Sequence, residues 1–378
     1  MGCQYLLLLV GFCALSRTSY ARDIYVDAAG SSGGDGTIES PLVSIQDAVD
    51  AAAAGDTIFL RGGTYAPTSN IQITAVSGTV DAPITITAYE DEKVIVDGEG
   101  MPGTPADLDA SLPNEERGIF HIQNVSYWRF IGLELINGPY GIYARDASNN
   151  HYERLITRDN YESGFQLQGA SANNVVLYLD SYGNRDPRKN GESADGFACK
   201  EGSGEGNVLR GARLWNNVDD GLDLWWDFSD FQGDGNGFKL GGGDADQIGA
   251  ANHMVTNCIA FSNAAKGFTD NKQPGDFTLS HNTAWNNGEV GFQITTAAAT
   301  LEANIGAVNN NGGEQVSLSS GTVSSGNSWD GDESWTNSSF LSVDTSTVQG
   351  DRAADGKVVG SEFLLPVSGE DIGATTNW

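Results

Sequence analysis

Seven short segments, each carrying one glycine, constrain this chain more than any other feature: PYGIY at Gly141, ESGFQLQ at Gly164, ADGFACK at Gly196, DDGLDLW at Gly221, GNGFKLG at Gly237, AKGFTDN at Gly267 and EVGFQIT at Gly291. Successive glycines stand 23, 32, 25, 16, 30 and 24 residues apart. Between most of them lies a second apolar segment rich in Asn, such as NNVVLYLDSYGN or HMVTNCIAFSN, and no helical periodicity runs through the region. A repeat of about 23 residues built from short strands cannot bury its own apolar face, so copies must stack. Stacked coils of parallel strands form an all-β solenoid, the parallel β-helix. The longer spacings are then rungs with loops, and Asn aligned at the turns can form hydrogen-bonded ladders.

The ends differ from the middle. SIQDAVDAAAAGDTIFLRGGTY predicts an amphipathic helix over about Ser44–Ala54 and then a strand, and such a helix would cap the open end of the solenoid. From about Thr322 the repeat is lost and the chain is expected to fold over the other end. A single domain over 22–378 follows, with a cap and first rungs to about 100, central rungs over 101–320, and a tail over 321–378. Residues 1–21 read as a secretory signal, with an apolar run from Tyr5 to Leu15 and a small-residue end at Ser19-Tyr20-Ala21. A secreted, extracellular protein is expected, monomeric by default. No later run approaches the roughly 18 apolar residues of a membrane span. Only Cys199 and Cys258 remain in the mature chain, either paired or as two free thiols.

The chain holds 20 Lys+Arg against 50 Asp+Glu, a formal net charge of −30. Nucleic acid, which needs a basic footprint, is excluded as a partner. On so acidic a chain the stretch NNVDDGLDLW is conspicuous, with Asp219, Asp220 and Asp223 in five residues. Residues at one offset from the glycine stack on neighbouring rungs about 4.8 Å apart. One position before it the column reads Ser163, Asp195, Asp220, Asn236, Lys266, Val290; two positions after it, Tyr143, Gln166, Ala198, Asp223, Lys239, Thr269, Gln293. Four carboxylates thus meet, with Lys239 and Lys266 on the next rungs. Stacked like charges are destabilising unless a hard cation joins them. An all-oxygen site without His or Cys suits Ca2+. Solvated turn aspartates and a purely structural calcium are the plainer readings. The lysines favour catalysis, because an amine near a divalent cation has a depressed pKa and can act as a base.

In order, DGFACK, NNVDDGLDLW, GDGNGFKLGGG and AKGFTDN resemble the core of polysaccharide lyase family 9, the pectate lyases of that group, over about Asp23 to Trp329. The resemblance implies a right-handed parallel β-helix, one catalytic calcium, and β-elimination on polygalacturonate or pectin. Carried over by position, the calcium ligands fall on Asp195, Asp219, Asp220 and Asp223, and the Brønsted base on Lys239. Lys266 is the second choice for a base or substrate role, while Lys200 and the Arg185–Lys189 loop, Arg188 included, are candidates for holding further uronates.

One departure stands out. The 16-residue spacing between Gly221 and Gly237 carries only WWDFSDFQGD where neighbouring rungs have an Asn-rich outer strand, and the family pattern has roughly twenty residues more. Sixteen extended residues reach at most about 53–58 Å. The rung over 224–236 is either pinched or short of a segment, which bears on whether Lys239 reaches the cation. The competing readings are a glycoside hydrolase of pectin and a catalytically inactive β-helix that binds acidic polysaccharide.

Overall fold

A computed structural model describes residues 21–90, 92–105, 112–224, 234–242, 250–353, 355–359 and 361–375. Almost all of its regular structure is short parallel strands, wound as a right-handed coil with three strands in a full turn. The coil from Phe165 shows the unit: Phe165–Gln168, then Val175–Leu177, then Asp180–Tyr182, before the chain returns at Phe197–Cys199. Strands at equal positions pair with the turn above and below. One sheet of ten strands therefore runs the length of the coil, from Ile71–Ile73 to Val316–Leu318.

The repeated glycines lead the strands of this ten-stranded sheet, and close approach is the reason. A Cβ at Gly196 would stand 2.6 Å from the carbonyl oxygen of Gly221; at Gly221 it would meet that of Gly237 at 2.6 Å; at Gly237, that of Gly267 at 2.7 Å. Each glycine thus lets the next rung close on it. The strand that follows alternates with period two. The residue after the glycine turns into the core, where Phe238, Phe268 and Phe292 stack at 4.6 and 4.8 Å between ring centres. The residue two after it turns outward.

The turns are held by asparagine. Asn282, Asn304 and Asn327 are buried one above another, each amide nitrogen donating to the next amide oxygen at 3.0 and 2.9 Å. Asn263, Asn287 and Asn309 form a second ladder, and Asn160, Asn184 and Asn217 a third. The residue before a ladder position takes a left-handed backbone, as at Asn216 and Asn286, a conformation that Asn tolerates better than most residues.

A helix over Ile45–Ala51 covers the N-terminal end, with Ser44 capping it by accepting the Asp47 N–H at 3.1 Å. Ile45, Ala48 and Val49, on one face, join the core. At the other end Trp329 packs on Phe292. The tail beyond differs from the expectation that it folds over that end: Phe340, Val348, Phe363 and Leu364 lie along the flank against Trp285, Ile305 and Ala307. Outward-facing Trp285 and Ile305 supply the apolar surface that it buries. Arg352, reaching Asp180 at 2.6 Å, carries the tail back to the middle of the coil. Cys199 and Cys258 are free. No helix among the described residues is long and apolar enough to cross a membrane, and the expected signal over 1–21 falls, but for Ala21, outside them.

The two other sheets each break into a lower and an upper part. Strands Val208–Arg210 and Arg213–Trp215 end the lower parts, and Met254–Thr256 and Ile259–Phe261 begin the upper ones. At that level only the ten-stranded sheet continues among the described residues. Nine residues of the short rung, 225–233, lie outside them.

Candidate active site

The register of the ten-stranded sheet assembles the site. Gln166 pairs with Ala198, Ala198 with Asp223, Asp223 with Lys239, and Lys239 with Thr269, the outward column expected from the glycine offsets. Backbone bonds stack the position before each glycine in the same way. The N–H of Gly196 donates to Asp220 O at 3.0 Å, that of Gly221 to Asn236 O at 2.9 Å, and that of Gly237 to Lys266 O at 2.9 Å. Asp195, Asp219, Asp220 and Asp223 are all buried, and each offers a carboxylate oxygen within 4.8 Å of the others.

The protein satisfies only part of this cluster. Asp220 Oδ1 accepts the backbone and side-chain nitrogens of Asn236 at 2.7 and 3.1 Å, and Asp219 Oδ1 accepts the Asp234 N–H at 2.8 Å. Ser163 Oγ donates to Asp195 Oδ2 at 3.1 Å. The Oδ1 atoms of Asp195 and Asp223 and the Oδ2 atom of Asp220 are buried and accept no hydrogen bond. An unsatisfied buried carboxylate oxygen is costly unless a cation meets it. These all-oxygen donors, three of them without a hydrogen bond, fit a hard divalent cation of the calcium type. The electrostatics agree. Burial, and then the neighbouring carboxylates, push Asp219 up to about 10 and Asp220 to about 7, and raise Asp195 as well.

Two lysines enter the cluster. Lys239 Nζ lies 3.1 Å from Asp220 Oδ2, 3.8 Å from Asp223 Oδ2 and 3.0 Å from Asp234 Oδ2. Burial pulls its pKa down, but Asp223, Asp220 and Asp234 outweigh that and raise it. Lys200, a candidate for holding further uronates, is buried, 2.8 Å from both Asp195 Oδ2 and Asp223 Oδ2. Arg188 also turns inward, onto Glu162 at 3.3 Å and the carbonyl of Gly103. Lys266 stays half-buried against Glu289 at 2.9 Å. Asp234, Ser163 and Asn236 were not singled out as site residues. Asn236 and Ser163 occupy the column before the glycine, whereas nothing in the spacing marks Asp234, which lies in the irregular end of the short rung.

A model of the "Pel9A-like, right handed beta helix region" matches residues 24–228 and 225–311. The chain belongs to the Pel9A-like β-helix family. It is 64% identical to pectate lyase PEL9 of Emericella nidulans over 403 aligned positions, which cover 97% of this chain and 98% of that protein. It is a polysaccharide lyase. Among solved structures, the crystal structure of pectate lyase Pel9A superimposes with a TM-score of 0.74 at 29% identity, covering 93% of this chain and 91% of that one. A rhamnogalacturonan lyase superimposes with a TM-score of 0.78 at 25% identity, covering 92% and 97%. The two stretches of the family match meet at 225–228, inside the short rung. The alignment with the Emericella relative is also longer than this 378-residue chain, so that relative carries residues absent here.

Proposed function

We propose that the chain is a secreted, calcium-dependent pectate lyase that cleaves polygalacturonate by β-elimination. The observation that carries this reading is the buried group of four aspartates with its three oxygens that accept no hydrogen bond, set one strand from Lys239. Asp195, Asp219, Asp220 and Asp223 would hold the cation. When bound, it supplies the positive charge that an acidic chain lacks for binding a uronate carboxylate and for stabilising the charge that develops beside it. Lys239 takes the C5 proton. The electron pair of that C–H bond becomes the C4=C5 double bond, and the C4–O4 bond breaks with its pair on O4, which gains a proton from water as the departing sugar leaves a 4,5-unsaturated sugar behind. The carboxylates around Lys239 keep its amine protonated, and burial opposes them. When those carboxylates are engaged elsewhere, burial drives the amine toward the neutral base. The apolar run over 5–15 supports export, and the family's lyases of acidic sugar polymers support the substrate class.

A hydrolase would need an acid and a second carboxylate about 5–9.5 Å apart, and the clustered oxygens are closer than that. The test is the ultraviolet absorbance of unsaturated uronides released from polygalacturonate, with calcium, with a chelator, and with Lys239→Ala. A rise that needs both calcium and Lys239 is expected, with Lys239→Ala slower by about 10²–10⁴-fold. Folded protein that gives no rise in any condition, yet binds polygalacturonate, would replace this reading with the inactive binding protein.

A further inference from the structure

Lys200 is the least expected group in the site. It follows the strand Phe197–Cys199, and its backbone N–H is tied to Leu167 O at 2.9 Å, on the rung below. Its side chain is 6% exposed, and its ammonium stands 2.8 Å from one oxygen of Asp195 and 2.8 Å from one oxygen of Asp223. These carboxylates come from adjacent rungs, so the ammonium bridges the two turns of the coil. In each of them the other oxygen, Oδ1, is buried and has no hydrogen-bond partner. The division is regular: one oxygen of each carboxylate on the lysine, one left over.

We infer that Lys200 is a built-in counter-ion of the cation site. It neutralises part of the four-carboxylate cluster when no metal is bound, so the coil survives loss of the ion. It also fixes Asp195 and Asp223 with their spare oxygens free. Lys200 is a positioning residue, acting through the aspartates and not on substrate. The inference rests on reading the four aspartates as a cation site. Two consequences follow from charge alone. Without the ammonium, Asp195 loses its ion-pair partner and Asp223 keeps only Lys239, at 3.8 Å, so buried carboxylate charge is left poorly compensated in the metal-free protein, a strongly destabilising arrangement. Metal binding, by contrast, gains, because a positive charge that either repels the ion or competes with it has gone.

The experiment compares the full chain with Lys200→Met, which keeps the stem and removes the charge, and Lys200→Arg, which keeps the charge. Thermal melting is followed in chelator and in saturating Ca2+, and calcium affinity is measured by titration calorimetry. In chelator Lys200→Met is expected to melt roughly 5–10 °C below the parent, and in calcium within about 2 °C of it. Its calcium affinity should rise at least about tenfold, and Lys200→Arg should follow the parent in both. A Lys200→Met loss that is equal in chelator and in calcium would overturn the proposal and leave Lys200 a packing residue. No loss in either condition, or weaker calcium binding, would overturn it too. If the parent itself neither binds calcium nor gains stability from it, the cation-site reading fails first and the counter-ion role falls with it.

Discussion

Gly221→Ala joins the fold to the chemistry in one substitution. A Cβ at this position would stand 2.6 Å from the carbonyl oxygen of Gly237, 3.4 Å from its carbonyl carbon and 3.6 Å from its Cα. All three atoms are backbone, so no side chain can swing aside and the next rung has to move. Restoring ordinary contact requires a shift of about 0.5–1 Å. Overpacking of this kind costs about 1–3 kcal/mol, several degrees of melting temperature for a chain of this size. The displaced strand is Phe238–Lys239, and Asp223 lies opposite Lys239 on the strand that stays. A misplacement of 1 Å in a reacting group can cost about 10²-fold in rate. Melting and uronide release are measured on the same preparations, beside Gly321→Ala, where a Cβ meets open space. The expected result is a loss of both stability and rate for Gly221→Ala and of neither for Gly321→Ala. If Gly221→Ala matched the parent in both, the rungs would have slack, and the claim that close glycine contacts set the geometry around Lys239 would be wrong.

Two further outcomes test the frame around the site. Asn304 is fully buried and makes four bonds, accepting from the backbone and side chain of Asn282 and donating to Leu279 O and Asn327 Oδ1. Asn304→Ala leaves those partners without an asparagine between them, so chemical denaturation should show a loss of about 2–4 kcal/mol; a loss under 0.5 kcal/mol would mean that water replaces the ladder at little cost. The His253 ring, against Phe277 at 5.0 Å, is held by burial down at about 4. Because its folded pKa lies below the unfolded one, the unfolded chain binds the extra proton between these values. The contribution of His253 to stability is therefore complete above about pH 6.5 and is lost as pH falls through 4, about 2–3 kcal/mol in all. His253→Gln should shrink the fall in stability between pH 7 and pH 4 by that amount, and an unchanged slope in urea titrations would refute it.

Much of this protein is legible along the chain because a solenoid repeats one local problem. Most rungs need a residue without a side chain where they close on a neighbour, so glycines mark the start of seven of the ten strands in one sheet, from Ile142–Arg145 to Phe292–Ile294. Parity does the rest. Two residues after the glycine always faces outward, and this placed Asp223 opposite Lys239 from spacing alone. The column before the glycine stacked Asp195 and Asp220 on neighbouring rungs for the same reason. The Asn ladders and the capping helix, with Ser44 at its start, follow from equally local chemistry.

What the spacing left open depends on where side chains end after crossing between rungs. Lys200 lies four residues after Gly196, an offset that gives the outward face but not its target. Only the assembled coil shows that its flexible stem lays the ammonium along that face, buried between two aspartates, where an unpaired charge could not be held. Arg188, read from its basic loop as a candidate for holding a uronate, is buried beside Glu162, a fixed partner 26 residues away that its sequence position does not reveal. The tail was the hardest to read. It carries no repeat, and its place on the flank is set by apolar surface at Trp285 and Ile305 and by the reach of Arg352 to Asp180, contacts far apart in sequence that exist only once the coil has formed.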